Sequence, residues 1–101
     1  SADFEGYEYF YALSLHAEHK TEEALRMAQQ GIQKNAFDVQ LLLLASQLSY
    51  ELHDTQSADL SEQALPLAED QDEIVLRLST LYLEEERYED LVALADYEVD
   101  S

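Results

Sequence analysis

Leu78-Ser79-Thr80-Leu81-Tyr82-Leu83-Glu84-Glu85-Glu86-Arg87-Tyr88-Glu89-Asp90-Leu91 is the stretch on which the fold turns. A large apolar residue, Leu78, is followed directly by a small one, Ser79, and a turn of helix later by the aromatic Tyr82. Apolar residues three and four apart mark one face of a helix. The run Glu84-Glu85-Glu86-Arg87 then breaks the period, and a new one opens at Tyr88. The stretch therefore contains the end of one helix, a tight turn and the start of another.

Upstream, the large-then-small pair recurs as Tyr11-Ala12 and Leu44-Ala45, placing Ala12, Ala45 and Ser79 at spacings of 33 and 34 residues. Between these marks, Ala24, Ala28, Gly31 and Ile32 match Ser57, Ser61, Ala64 and Leu65 at a 33-residue offset, and the pattern decays to Leu91, Ala95, Glu98 and Val99. Small side chains at fixed intervals let two helices approach closely, and the large residues beside them fill the space between successive pairs. Six helical segments follow from the breaks in period: about 4–18, 21–35, 39–52, a fourth after the cluster His53-Asp54-Thr55, 74–85, and 87–99. Thr21 and Asp38 suit helix N-termini, Asp70 with Glu73 has capping-box spacing, and Pro66 should kink or shorten the last turn of the fourth helix. Connections of a few residues force neighbouring helices antiparallel. The expectation is an all-α chain of three helix hairpins, with repeats at about 5–37, 38–71 and 72–101 of a single domain.

These residues resemble the tetratricopeptide repeat, whose 34-residue unit carries a large-then-small pair and an aromatic in its first helix and small residues in its second. The resemblance covers about residues 5–99. It departs from the family pattern at the early Trp (Glu8, Leu41, Val75), the turn glycine (His19, Leu52, Glu86) and the closing proline (Ala36, Glu69). It implies a right-handed solenoid in which the first helix of each hairpin lines a concave groove. By phase, the groove residues would be Tyr9, Leu13 and His16 from the first hairpin, Leu42, Ser46, Ser49 and Tyr50 from the second, and Leu76, Thr80 and Leu83 from the third. Such a wall suits a peptide or helix with apolar anchors and a basic fringe. The wall as phased carries no cation, which argues against capture of a peptide C-terminal carboxylate. The alternative is a structural segment of a longer helical array, or a homodimer formed through the exposed ends of the stack.

Composition narrows the function classes. Twenty-three acidic residues against five basic ones give a formal charge of −18, which repels phosphate and speaks against nucleic-acid or anionic-membrane partners. A basic protein partner fits that field. The absence of cysteine removes disulfide and thiolate chemistry and agrees with an expected cytoplasmic location. The longest apolar run, Leu41 to Ala45, is too short to span a bilayer. Ser1 in place of Met is what a segment excised from a longer protein would show. His16 and His19 near Glu18, Glu22 and Glu23 contain metal-ligand types, but His-x-x-His across a helix end is a common coincidence, and no Gly-rich loop or nucleophile motif is present. No enzymatic activity, cofactor or metal is expected.

Overall fold

The computed structural model describes residues 6–100, with side chains placed for residues 6–97, and over this range the chain is entirely helical outside its turns. Phe4 and the side chains of Glu98 and Val99, which the sequence places on the first and last helices, lie outside the described residues. The helices are α1 (Tyr7–Ala17), α2 (Thr21–Lys34), α3 (Val39–Glu51), α4 (Ser57–Ala64), α5 (Asp72–Glu84) and α6 (Tyr88–Asp100). Each packs on the next in sequence, α1 also touches α3, and the whole measures 46 × 26 × 19 Å.

Local chemistry explains the boundaries. Asp38 caps α3 as expected, its Oδ1 accepting from the Leu41 amide at 3.1 Å. Pro66 ends α4 at Ala64 and forces a single 3₁₀ turn, Leu65–Leu67, because its ring removes a donor the α-helix needs. Two expected caps are displaced. Thr21 is already inside α2, behind Lys20. Asp70 accepts from the Asp72 amide at 3.1 Å, making a turn one residue before Gln71, the N-cap of α5.

The first helices end in one repeated device. His19, His53 and Glu86 adopt left-handed φ values of 66°, 57° and 57°. In each turn the following amide reaches back to the carbonyl five residues earlier: Lys20 to Leu15 at 2.9 Å, Asp54 to Ser49 at 2.8 Å, and Arg87 to Tyr82 at 2.7 Å. These bonds satisfy carbonyls that would otherwise be orphaned at a helix C-terminus. The turn residue of the second hairpin is thus His53, not Leu52, and the spacings are 34 and then 33 residues. On this register Ala12 corresponds to Ser46 and Ser79, one residue later in α3 than the large-then-small pairs suggest. The pair Leu44-Ala45 misleads because α3 is apolar on nearly every side.

A left-handed conformation costs a side-chain-bearing residue roughly 1–2 kcal/mol, partly offset in glycine by greater unfolded-state entropy. Replacing His19, His53 and Glu86 together by Gly is therefore expected to raise stability by about 1–2 kcal/mol and the melting temperature by about 5–10 °C. Differential scanning calorimetry reads this directly, and a lower melting temperature would contradict the turn assignment.

The core runs the length of the molecule. Leu41, Leu42, Leu48, Ile74 and Leu78 are its fully buried large residues, and Ala12, Ala24, Ala28, Ala45, Ala58 and Ala64 let the helices approach closely. Four serines sit inside it, and three of them, Ser46, Ser57 and Ser61, form one hydrogen-bonded cluster. Ser46 and Ser57 exchange hydrogen bonds, the Ser46 hydroxyl donating to the Ser57 carbonyl at 2.7 Å and the Ser57 hydroxyl to the Ser46 carbonyl at 2.8 Å. The Ser61 hydroxyl lies 2.7 Å from that of Ser46. This cluster fastens α3 to α4 with each of its three hydroxyls paired. At the other end of the chain Arg87 joins three helices: it contacts Glu62 of α4 and Asp90 of α6 and lies over the Tyr82 ring of α5, 4.8 Å from its centroid. Burial, and the hydrogen bond to Glu62, push the Tyr82 phenol well above its ordinary pKa.

Candidate functional site

The 34/33 register groups the solvent-facing positions of the first helices into three rows: Tyr9, Leu43 and Leu76; Leu13, Gln47 and Thr80; and His16, Tyr50 and Leu83. Two adjoining depressions of about 280 Å³ each lie along these helices. One is bounded by Tyr9 of α1, Gln40, Leu43 and Leu44 of α3, and Ile74 of α5. The other lies between Tyr50 of α3 and Leu76, Thr80 and Leu81 of α5. Gln47, Glu73 and Arg77 border both. The walls of the second are mainly apolar, and Leu76 is 69 % exposed.

Most of the groove residues expected from sequence lie on this surface. Tyr9, Tyr50, Leu76 and Thr80 line the depressions, and Leu13, His16 and Leu83 reach solvent beside them on α1 and α5. Leu42, Ser46 and Ser49 do not: all three are fully buried. The one-residue slip in α3 accounts for them, since they correspond to the buried Glu8, Ala12 and Leu15 of α1 and to Val75, Ser79 and Tyr82 of α5. Ser46 serves the serine cluster, and the Ser49 hydroxyl has no hydrogen-bond partner among the described residues. The places assigned to them belong to Leu43, Gln47 and Tyr50. The wall also carries a cation after all, Arg77, which the phase of α5 puts beside Leu76.

A chain of polar contacts crosses the three first helices. The Arg77 guanidinium donates to the Gln47 carbonyl oxygen at 2.9 Å, and the Gln47 amide donates to Glu51 at 2.9 Å. Glu51 in turn lies 2.8 Å from His16 Nε2. The Gln47 amide, and then His16, hold the Glu51 carboxyl below the usual range against the opposing effect of burial. One repeat later, the Tyr50 hydroxyl donates to both oxygens of Glu84 at 3.1 Å, and this bond raises the Tyr50 pKa. Glu51 and Glu84 occupy equivalent positions, each held by the side chain of the third row, His16 or Tyr50, on the preceding first helix. With Glu73 they give the surface three carboxylates against one guanidinium. The polar groups bind one another and fix the rotamers around the depressions. No nucleophile paired with a base stands among them.

Behind this surface, Glu8 is buried at the start of α1 and pairs with Lys34 at the end of α2. That hydrogen bond holds the Glu8 carboxyl below its ordinary pKa, with burial opposing it. Lys34 also lies over the Tyr7 ring, 4.9 Å from its centroid.

His16 is engaged with Glu51, whereas His19 sits in the α1–α2 turn, where an open polar depression also contains the cations Lys20 and Arg26. No cluster of three metal-ligating side chains occurs among the described residues. No described helix is long and apolar enough to cross a membrane. In comparisons with known proteins, no family model, curated protein or solved structure matches the chain.

Proposed function

We propose that the chain is a protein-interaction scaffold in which three tetratricopeptide-like hairpins stack as a right-handed solenoid. Its first-helix surface receives a peptide or helix with apolar anchors and a basic fringe. The observation that carries this reading is the pair of depressions along α1, α3 and α5, in which Tyr50 and Leu76 stand exposed beside Glu73 and Glu84. Apolar side chains left in solvent along a concave surface favour burial against a partner, and surrounding carboxylates favour Lys or Arg on that partner. The equivalent left-handed turns and the 34/33 register support the repeat assignment. The excess of carboxylate over Arg77 also disfavours capture of a free peptide C-terminus.

Leu76→Glu places a charge on the apolar floor without disturbing the core, because Leu76 is 69 % exposed. It is expected to weaken binding of Lys-bearing amphipathic peptides, selected from a synthetic panel, by at least about tenfold. Fluorescence anisotropy measures the loss, and circular dichroism checks that the helices persist. Added salt should weaken the same complexes. A panel in which basic amphipathic peptides bind no better than acidic ones, or in which Leu76→Glu changes nothing, would overturn the assignment.

A further inference from the structure

Hydrogen bonding on the first-helix surface distinguishes an extended ligand from a helical one. In the depression between Tyr50 and Leu76 the polar side chains are committed to the protein itself. The Thr80 hydroxyl donates to the Leu76 carbonyl of its own helix at 3.1 Å. The Tyr50 hydroxyl donates to Glu84, and the Gln47 side chain accepts from Arg77 while donating to Glu51. Groups with hydrogen-bonding capacity to spare, Tyr9, Gln40, Glu73 and Arg77, lie in or at the border of the other depression. An extended segment carries an unpaired amide and carbonyl at each residue, and burying these against Tyr50 and Leu76 without partners is costly. A helix satisfies its backbone internally and offers the wall only side chains.

The two depressions also set the spacing of the anchors. Along α3 the first extends over positions 40–47 and the second over 47–50, and along α5 they extend over 73–77 and 73–81. At about 1.5 Å per residue, their centres stand roughly 5 Å apart along these helices. Side chains one turn apart on a helix, at i and i+4, have the same separation. Carboxylates flank the line between them: Glu73 borders both depressions, and Glu84 lies against Tyr50. Lys or Arg beside the anchors would meet these carboxylates.

Resting on the interaction-scaffold reading above, we propose that the ligand is an amphipathic helix lying along the crevice between α3 and α5. Apolar residues at i and i+4 seat in the two depressions, with Lys or Arg beside them. Four synthetic Lys-bearing peptides test this against the intact chain by fluorescence anisotropy. The first has Leu at i and i+4, and the second adds a lactam bridge on the outward face that holds the peptide helical. The third has Pro on the outward face between the anchors, and the fourth has the second Leu moved to i+2. The bridged peptide is expected to bind at least about tenfold tighter than the Pro and i+2 peptides, because it is already ordered and correctly phased. The unbridged i, i+4 peptide, labelled with ¹³C, should show helical Cα shifts when bound. Equal binding of all four, tighter binding of the Pro or i+2 peptide, or extended Cα shifts in the complex would overturn the helix assignment while leaving the scaffold reading in place. Binding of none of them would overturn both.

Discussion

Gly31→Ala is expected to destabilise the protein by about 1–2 kcal/mol, although alanine is the better helix former by about 1 kcal/mol. The site is the C-terminal half of α2, where Gly31 lies against Glu8 of α1 and Leu41 of α3. A Cβ there would stand 2.7 Å from Leu41 Cδ1, 3.1 Å from Leu41 Cδ2 and 3.0 Å from Glu8 Cβ. Neither neighbour yields easily. Leu41 is almost wholly buried, and Glu8 is held by Lys34. Relief requires α2 to move away from both partners, which loosens the junction between the first two hairpins. For a domain whose total stability is about 5–10 kcal/mol, the loss lowers the melting temperature by roughly 5–15 °C, and a larger residue such as Leu should prevent cooperative folding. Urea unfolding followed by circular dichroism provides the test. A variant as stable as the parent would mean that α2 does not pack as described.

Leu42→Ala and Leu43→Ala should differ sharply, although the residues are neighbours. Leu42 is fully buried in α3, so truncation leaves a cavity and should cost about 2–5 kcal/mol. Leu43 is half-buried in the wall of a surface depression, where the same truncation should cost no more than about 1 kcal/mol while weakening any ligand bound there. Together the two substitutions read the register of α3 experimentally. Equal losses of stability would contradict it, and a larger loss from Leu43→Ala would restore the phase in which Leu42 faces the groove.

That register is also the measure of what the amino-acid sequence discloses. Six helices, their approximate limits, the Asp38 cap and the effect of Pro66 follow from apolar period and backbone chemistry, and the structure contains all of them. The small residues Ala24, Ala28 and Gly31 of α2 are buried, as are Ser57, Ser61 and Ala64 of α4. In α3 the large-then-small pair lies one residue before the register set by the turns. Leu41-Leu42-Leu43-Leu44 supplies an apolar side chain in every direction, so hydrophobic period loses its power to assign a face. The signal that resolves it lies in the turns, where His19, His53 and Glu86, and not Leu52, share the left-handed conformation. Leu13, His16, Leu76, Thr80 and Leu83, which the phase of the resemblance assigns to the groove, all reach solvent on α1 and α5. Arg77, Gln47 and Glu73 are not legible as wall residues, since a charged or amide side chain beside an apolar one reads as ordinary helix surface until the helices are brought together.

The wall assembled from α1, α3 and α5 is the centre of the functional account, and a titration followed by two-dimensional ¹H–¹⁵N correlation spectra tests it most directly. With a Lys-bearing amphipathic peptide as ligand, the account predicts shift changes concentrated at Tyr9, Leu43, Gln47, Tyr50, Leu76, Arg77 and Thr80, with α2 and α4 largely unmoved. Changes centred on α2, α4 or α6, with the first helices unaffected, would contradict it.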